Sequence, residues 1–275
     1  MTKKKILLTI LAVAVVCAIS VTGTLAYLTA TSNNGQAVQN TFVGSTGLFE
    51  PEDPDNPDPD LPEPPDPDPD NPDEPVPTPG PDDTVDPTAH DFLVVEHLVT
   101  VTEPTNDKPS GEMTLDTSKV VTWNSYKLQP GVNAPKDPYV FINASRKTDV
   151  PGWLYVEVTG LGDPDVTAAI DTTQWQELTG VAGPHGGKVF VHQTAADNGS
   201  AHVFVSTTMS GNAEINVLAQ NSGNAIVVNG SIGANGQSAE EVAAALKHEI
   251  KVYAYMAQAV TGVQPADQFN TCFGG

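Results

Sequence analysis

The chain is poor in cysteine and in positive charge. Its 275 residues include two cysteines, 12 lysines and arginines, and 34 aspartates and glutamates. The formal charge of −22 argues against nucleic acid and anionic lipid as partners, since affinity for both comes largely from lysine and arginine. Catalytic signatures are missing too. No G-x-S-x-G is present, and "HEIKV" at His248 lacks the second histidine of a zincin. The carboxyl end, "FNTCFGG", has neither the apolar span nor the basic tail of a sorting signal.

What the chain does have begins with a leader. Lys3, Lys4 and Lys5 precede an apolar run from Ile6 to Val21, broken only by Thr9 and Ser20. Thr24, Leu25 and Ala26 follow as a cleavage site, placing the cut between Ala26 and Tyr27; an uncleaved anchor is the alternative. Val15 and Val16 stand where small residues would precede a lipid-modified Cys17, so that cysteine reads as part of the apolar run. Cleavage leaves 9 basic residues against 34 acidic ones, a charge of −25, and one cysteine, Cys272. No internal disulfide can then form. Export without disulfide staples excludes the small cystine-rich ectodomain class.

Residues 27–48 read as a lone β-strand segment, with Tyr27, Leu28, Val38, Phe42 and Val43 as its apolar and β-favouring side chains. An acidic, proline-rich linker follows, assigned to residues 49–88. From Glu50 to Pro87 it holds 15 prolines and 15 acids, with no lysine, arginine or aromatic residue. Proline blocks helix and interior strand while the carboxylates repel, so an extended, solvated tract is expected. At about 3.1 Å per residue it could reach on the order of 100 Å. Most of the excess charge belongs to this tract.

Residues 89–275 are long enough for one full core. Strand signals run through them: Phe92 to Thr102, Val120 to Leu128, Tyr139 to Ala144, Trp153 to Gly160, then "KVFVHQ", "HVFVST", "NAIVVNGSI" and "EIKVYAYMAQAV". In "WLYVEVTG", Leu154, Val156 and Val158 alternate with Tyr155 and Glu157, the period-two pattern of a strand buried on one face. One helix is expected, Ser238 to Lys247, with Ser238 and Glu241 forming a capping box. Eight or so short strands and one short helix define an all-β fold, an antiparallel sandwich of jelly-roll type.

Three stretches carry a resemblance. "GTLAYLTATSN" with "NTFVGSTG" resembles the leader and early mature region of proteins processed by the signal peptidase SipW. "LQPGVNAPKDPYVFINAS" followed by "WLYVEV", and "EIKVYAYMAQAVTGVQPADQF", resemble central and terminal strands of the TasA/camelysin-like group of Gram-positive bacteria. The resemblance implies a jelly-roll domain, export, a SipW-type peptidase as processing partner and, as in TasA, biofilm fibres. In those fibres an N-terminal strand of one subunit completes the sheet of the next. The acidic proline tract after the first strand is a departure from that group.

Camelysin-like proteolysis would need zinc. Of six histidines, His192 and His202 lie on consecutive strand candidates and are the candidate ligands. The Asn198–Gly199 turn signal and the valine pattern assign them different registers. Two ligands also fall short of the three that catalytic zinc usually takes. Asp163, Asp165 and Asp171 are candidate oxygen ligands, and Trp123, Trp153 and Trp175 a candidate aromatic platform; ordinary turn and packing roles explain both sets. The expectation is therefore a secreted surface or matrix structural protein without cofactor or catalytic residue. It would assemble with itself or with other matrix or cell-wall components by strand donation, or else the segment is the first strand of its own sandwich, since the linker lets it reach either sheet. An adhesive module on an acidic stalk is the alternative, and a camelysin-like metalloprotease the remote one.

Overall fold

The computed structural model describes residues 29–32, 42–43, 83–90, 92–102, 112–124, 126, 128–144, 151–193, 203–204, 211–221, 223–233, 237–246 and 248–274. The leader, the Ala26–Tyr27 junction, Leu28, Val38, the linker up to residue 82 and His202 lie outside these residues. The strands in chain order are β1 (Thr29–Ser32), β2 (Phe42–Val43), β3 (Phe92–Thr102), β4 (Glu112–Val121), β5 (Tyr139–Ile142), β6 (Gly152–Thr159) and β7 (Val166–Ala168). They continue with β8 (Trp175–Ala182), β9 (Lys188–His192), β10 (Val203–Phe204), β11 (Ala213–Asn216), β12 (Ile226–Val228) and β13 (Lys251–Gln258). Helix α1 spans Ala239–Leu246 and α2 spans Pro265–Cys272.

All the strand pairings are antiparallel. A seven-stranded sheet runs β2-β1-β13-β6-β9-β8, with β10 beside β6; a four-stranded sheet runs β11-β5-β3-β4; β12 and β7 form a small pair. The fold is the expected all-β antiparallel sandwich. Its main core lies between the sheets. Leu154, Val156 and Val158 of β6 and Val252, Ala254 and Met256 of β13 meet Phe92 and Val94 of β3 and Val140 and Ile142 of β5. Alternation along each strand sends these residues inward together. Burying such side chains is worth about 1.5–3 kcal/mol each and is the main force holding the sheets face to face.

The structure corrects four expectations. First, β6 is buried on both faces, not one: Tyr155 and Glu157 are as inaccessible as Leu154 and Val156. The outer face of the large sheet is itself covered, because Tyr155, Val189, Val191, Tyr253, Tyr255 and Ala257 pack with Phe269 of α2. Second, that cover is a helix the sequence did not announce. α2 has proline in its first turn and only Gln268 and Phe269 buried. Third, the strand expected over 120–128 ends at Val121, and its chain direction continues the polar strand β4.

Fourth, residues 83–88, inside the stretch assigned to the linker, are held against the sandwich. Thr84 bridges to Val121, and the Val85 amide donates to the Val120 carbonyl at 2.8 Å. The Asp86 carboxylate accepts from the Thr88 amide at 2.9 Å and its hydroxyl at 2.7 Å, capping a short 3-10 turn over Pro87–Ala89. Asn143 Nδ2 then donates to the Thr88 carbonyl at 2.7 Å. These bonds fix the end of the linker beside the edge strand β4.

Candidate functional site

The opening segment is not alone. β1 lies against β13 with Thr29 opposite Ala257, Ala30 opposite Met256 and Thr31 opposite Tyr255. β2 lines its far side, pairing Val43 with Thr31 and Phe42 with Ser32. Phe42 and Val43 therefore stand at the outer edge of the seven-stranded sheet, one strand removed from the sandwich. Within the expected strand segment 27–48, residues 29–32 meet β13 and Phe42–Val43 joins the sheet through β1.

The acceptor strand is rigidly built. β13 pairs with β6 over its whole length, from Lys251 opposite Thr159 to Gln258 opposite Gly152. Its residues opposite β1 are pinned from both faces. Met256 sits in the main core. Tyr255 and Ala257 belong to the outer cluster under α2, where the Tyr255 ring packs edge-on to Phe269 at 5.4 Å. The Tyr155 hydroxyl donates to the Pro265 carbonyl at 3.0 Å, tying α2 across the same strands. β1 also touches β3 of the opposite sheet. An added strand at this place thus closes the side of the sandwich where the two sheets approach.

The energy holding it is small. Three registered pairs contribute hydrogen bonds of roughly 1 kcal/mol each. β6 and β13 are joined by eight registered pairs, so β1, with three, is the more exchangeable element.

The best-built polar cluster lies on the outer face of the same sheet. Glu157 on β6 has no solvent exposure. Its Oε1 accepts from the backbone amides of His185 at 2.9 Å and Gly187 at 2.7 Å. Its Oε2 accepts from the Tyr255 hydroxyl at 2.7 Å and lies 3.0 Å from His185 Nδ1. The His185 ring stacks on Tyr253 at 3.8 Å, nearly parallel at 5°. The turn Gly183–Gly187 wraps so tightly that a Cβ on Gly183 would fall 2.0 Å from the Glu157 side chain. Burial and the bond to Glu157 push the Tyr255 phenol far above its ordinary range. Four hydrogen-bonding groups leave this carboxylate no capacity for a ligand. It is a clasp that ties the β8–β9 turn to the middle of the sheet.

A second clasp holds the smaller sheet. Lys136 Nζ reaches Glu96 Oε2 at 2.9 Å, and the Tyr126 hydroxyl donates to the same oxygen at 3.0 Å. Next along the chain, Asp137 accepts from the His97 amide at 3.1 Å and meets His97 Nδ1 at 2.6 Å. Two adjacent residues before β5 therefore grip two adjacent residues of β3, at the point where the β3–β4 register shifts. Asn124 closes that irregularity, accepting from the Val99 amide and donating to the His97 carbonyl, both at 2.8 Å. Burial outweighs these bonds and raises the Asp137 pKa.

Of the two candidate ligands, only His192 lies among the described residues. His192 ends β9, buried edge-on to Trp175 at 5.5 Å. β9 pairs with β6 and β8, while β10 pairs with β6 at Gly152 and Trp153. Both run antiparallel to β6, so β10 resumes the line of β9 and is not its hairpin partner. Neither register weighed for β9 and β10 is seen among their described pairings, and residues 194–202, with Asn198, Gly199 and His202, lie outside the described residues. Among the described residues no group of three histidines, cysteines or carboxylates is placed to hold a metal.

Asp163 and Asp171 serve local turns, and Asp165 bonds across to a distant loop. Asp163 accepts from the amides of Asp165 and Val166, Asp165 from Asn229 Nδ2, and Asp171 from Thr173. The tryptophans are separated as well. Trp175 sits in the main core with its Nε1 donating to the Asn216 carbonyl at 2.7 Å, whereas Trp153 borders the outer cluster. The fold and this edge define an antiparallel sandwich that carries an added N-terminal strand. The chain matches no family model, no curated protein and no solved structure.

Proposed function

We propose that this chain is an exported structural protein of the cell surface or biofilm matrix, which assembles by donating its N-terminal strand to β13 of a neighbour. The reading rests on one observation. A segment separated from the sandwich by some fifty residues nevertheless adds to the edge of its large sheet, at a strand otherwise locked in place. Strand addition satisfies backbone donors and acceptors whichever molecule supplies the strand. The resemblance of the leader and of the β13 sequence to the TasA/camelysin-like group supports export, a SipW-type peptidase and a fibre-forming role. Neither clasp carries chemistry in this reading, and the protein acts as a building block and not as an enzyme.

Light scattering and negative-stain microscopy test the proposal, on protein beginning at Tyr27 and on protein lacking residues 27–48, each up to high concentration. Fibres or oligomers that require residues 27–48 support it. Equal assembly by both forms, or monomers in both, would move the function to a stalked binding module.

A further inference from the structure

The same strand has a second place to go, and the structure holds it there: β1 is paired within its own chain. We infer that β1 is a self-cap, an autoinhibitory strand that keeps the single chain closed and sets a concentration threshold for assembly. This inference rests on the strand-donation reading above and adds its regulation.

Both ends of the connecting tract are fixed on one sandwich. Val43 leaves from the edge of the large sheet, and Thr84 arrives beside β4 of the small sheet. Forty residues separate them. A sandwich of this size has a radius of gyration of about 16 Å, so a path around it spans some tens of ångströms. Forty residues can extend to roughly 130 Å. Closure on the same molecule is therefore always within reach, and so is delivery to a neighbour. A tethered strand meets its own acceptor at an effective concentration of about 1 mM for flexible linkers, less where the tether exceeds the span. A neighbour's strand must exceed that concentration to win. At micromolar protein the self-capped monomer dominates; crowded secretion at a surface tips the balance to exchange.

The test uses the whole mature chain, residues 27–275, and the same chain carrying Ala30→Pro with Thr31→Pro. Adjacent prolines remove amide donors on both sides of β1, so its pairing to β13 fails. A dye-labelled peptide of residues 27–48 is titrated onto each and followed by fluorescence anisotropy. The parent should bind it at least about ten-fold more weakly than the double variant, because its own strand competes at the tethered concentration. Equal binding by both overturns the self-cap while leaving donation intact. Binding by neither overturns donation and the self-cap together. Circular dichroism checks that the variant keeps its sheets. A dilution series of the parent gives an independent readout: oligomers persisting at micromolar concentration contradict the threshold.

Discussion

Removing the Glu157 carboxylate should be among the most damaging single changes in the sandwich. Glu157→Ala removes the acceptor of two backbone amides, those of half-buried His185 and buried Gly187, and of the Tyr255 hydroxyl, which keeps only His185 Nδ1 at 3.1 Å. Each abandoned donor costs about 1–3 kcal/mol, so the sum is roughly 4–6 kcal/mol after partial relaxation. That is a large share of a total stability of about 5–15 kcal/mol. At about 2–4 °C per kcal/mol for a domain of this size, the midpoint should fall by about 10–20 °C. Glu157→Gln keeps the shape and one acceptor oxygen for the two amides. It should lose only about 1–3 kcal/mol. Thermal melts read by tryptophan fluorescence separate the two variants. An alanine variant melting within about 2 °C of the parent would refute the clasp. So would a glutamine variant as unstable as the alanine one.

Other expectations follow from the same contacts. Gly183→Ala should destabilise nearly as much as Glu157→Ala, since its Cβ would overlap the Glu157 side chain; urea midpoints of the two variants check this. Phe269→Ala should cost about 3–5 kcal/mol and expose the tyrosines of the outer face to collisional quenchers, because Phe269 is fully buried between Tyr155 and Tyr255. Burial raises the Cys272 thiol above its ordinary pKa, so alkylation at neutral pH should be slow until urea releases α2.

The Asp137 prediction has a defined sign. Its folded pKa lies above the ordinary 3.8, so the folded chain holds a proton that the unfolded chain releases. Its contribution to stability therefore falls as pH rises from 3.8 through the raised value. Asp137→Asn should remove that slope, measured by denaturant midpoints at a series of pH values. Asp86, Asp116 and Asp163 are shifted down by their hydrogen bonds and act oppositely, losing stability as pH falls below 3.8.

Strands with one strong apolar face were legible in the sequence. β3 coincides with the segment expected over Phe92 to Thr102, and β6, β9 and β13 lie within a residue or two of expectation. The capping box is present as read: the Glu241 amide donates to Ser238 Oγ and the Ser238 amide to Glu241 Oε2. Edge strands were not legible. "EMTLDTSKVV" of β4 and "WQELTGVA" of β8 each have only one fully buried residue, Val121 and Trp175, so no sustained hydrophobic alternation marks them. α2 was missed because "PADQFNTC" is rich in weak helix formers; what holds it is Phe269 in the aromatic cluster.

The clasps were hidden for a different reason. A charged residue in an alternating strand reads as the solvent face, and Glu157 is buried only because a glycine turn thirty residues on folds over it. Glu96 and Lys136 are forty residues apart, and nothing local in either signals the other. Contacts of that range are set by topology, which pattern reading does not supply.

The central claim, that β1 of one molecule occupies β13 of another in the assembled state, is tested most directly by mixing two cysteine variants. One carries Thr29→Cys, the other Ala257→Cys, both with Cys272→Ser. Residues directly opposite in an antiparallel pair have Cα atoms about 4.5–5.5 Å apart, within disulfide range. Oxidation of the assembled mixture should give a disulfide-linked pair containing one chain of each kind. Absence of that mixed pair, while a chain carrying both substitutions closes on itself at every concentration, would contradict donation between molecules.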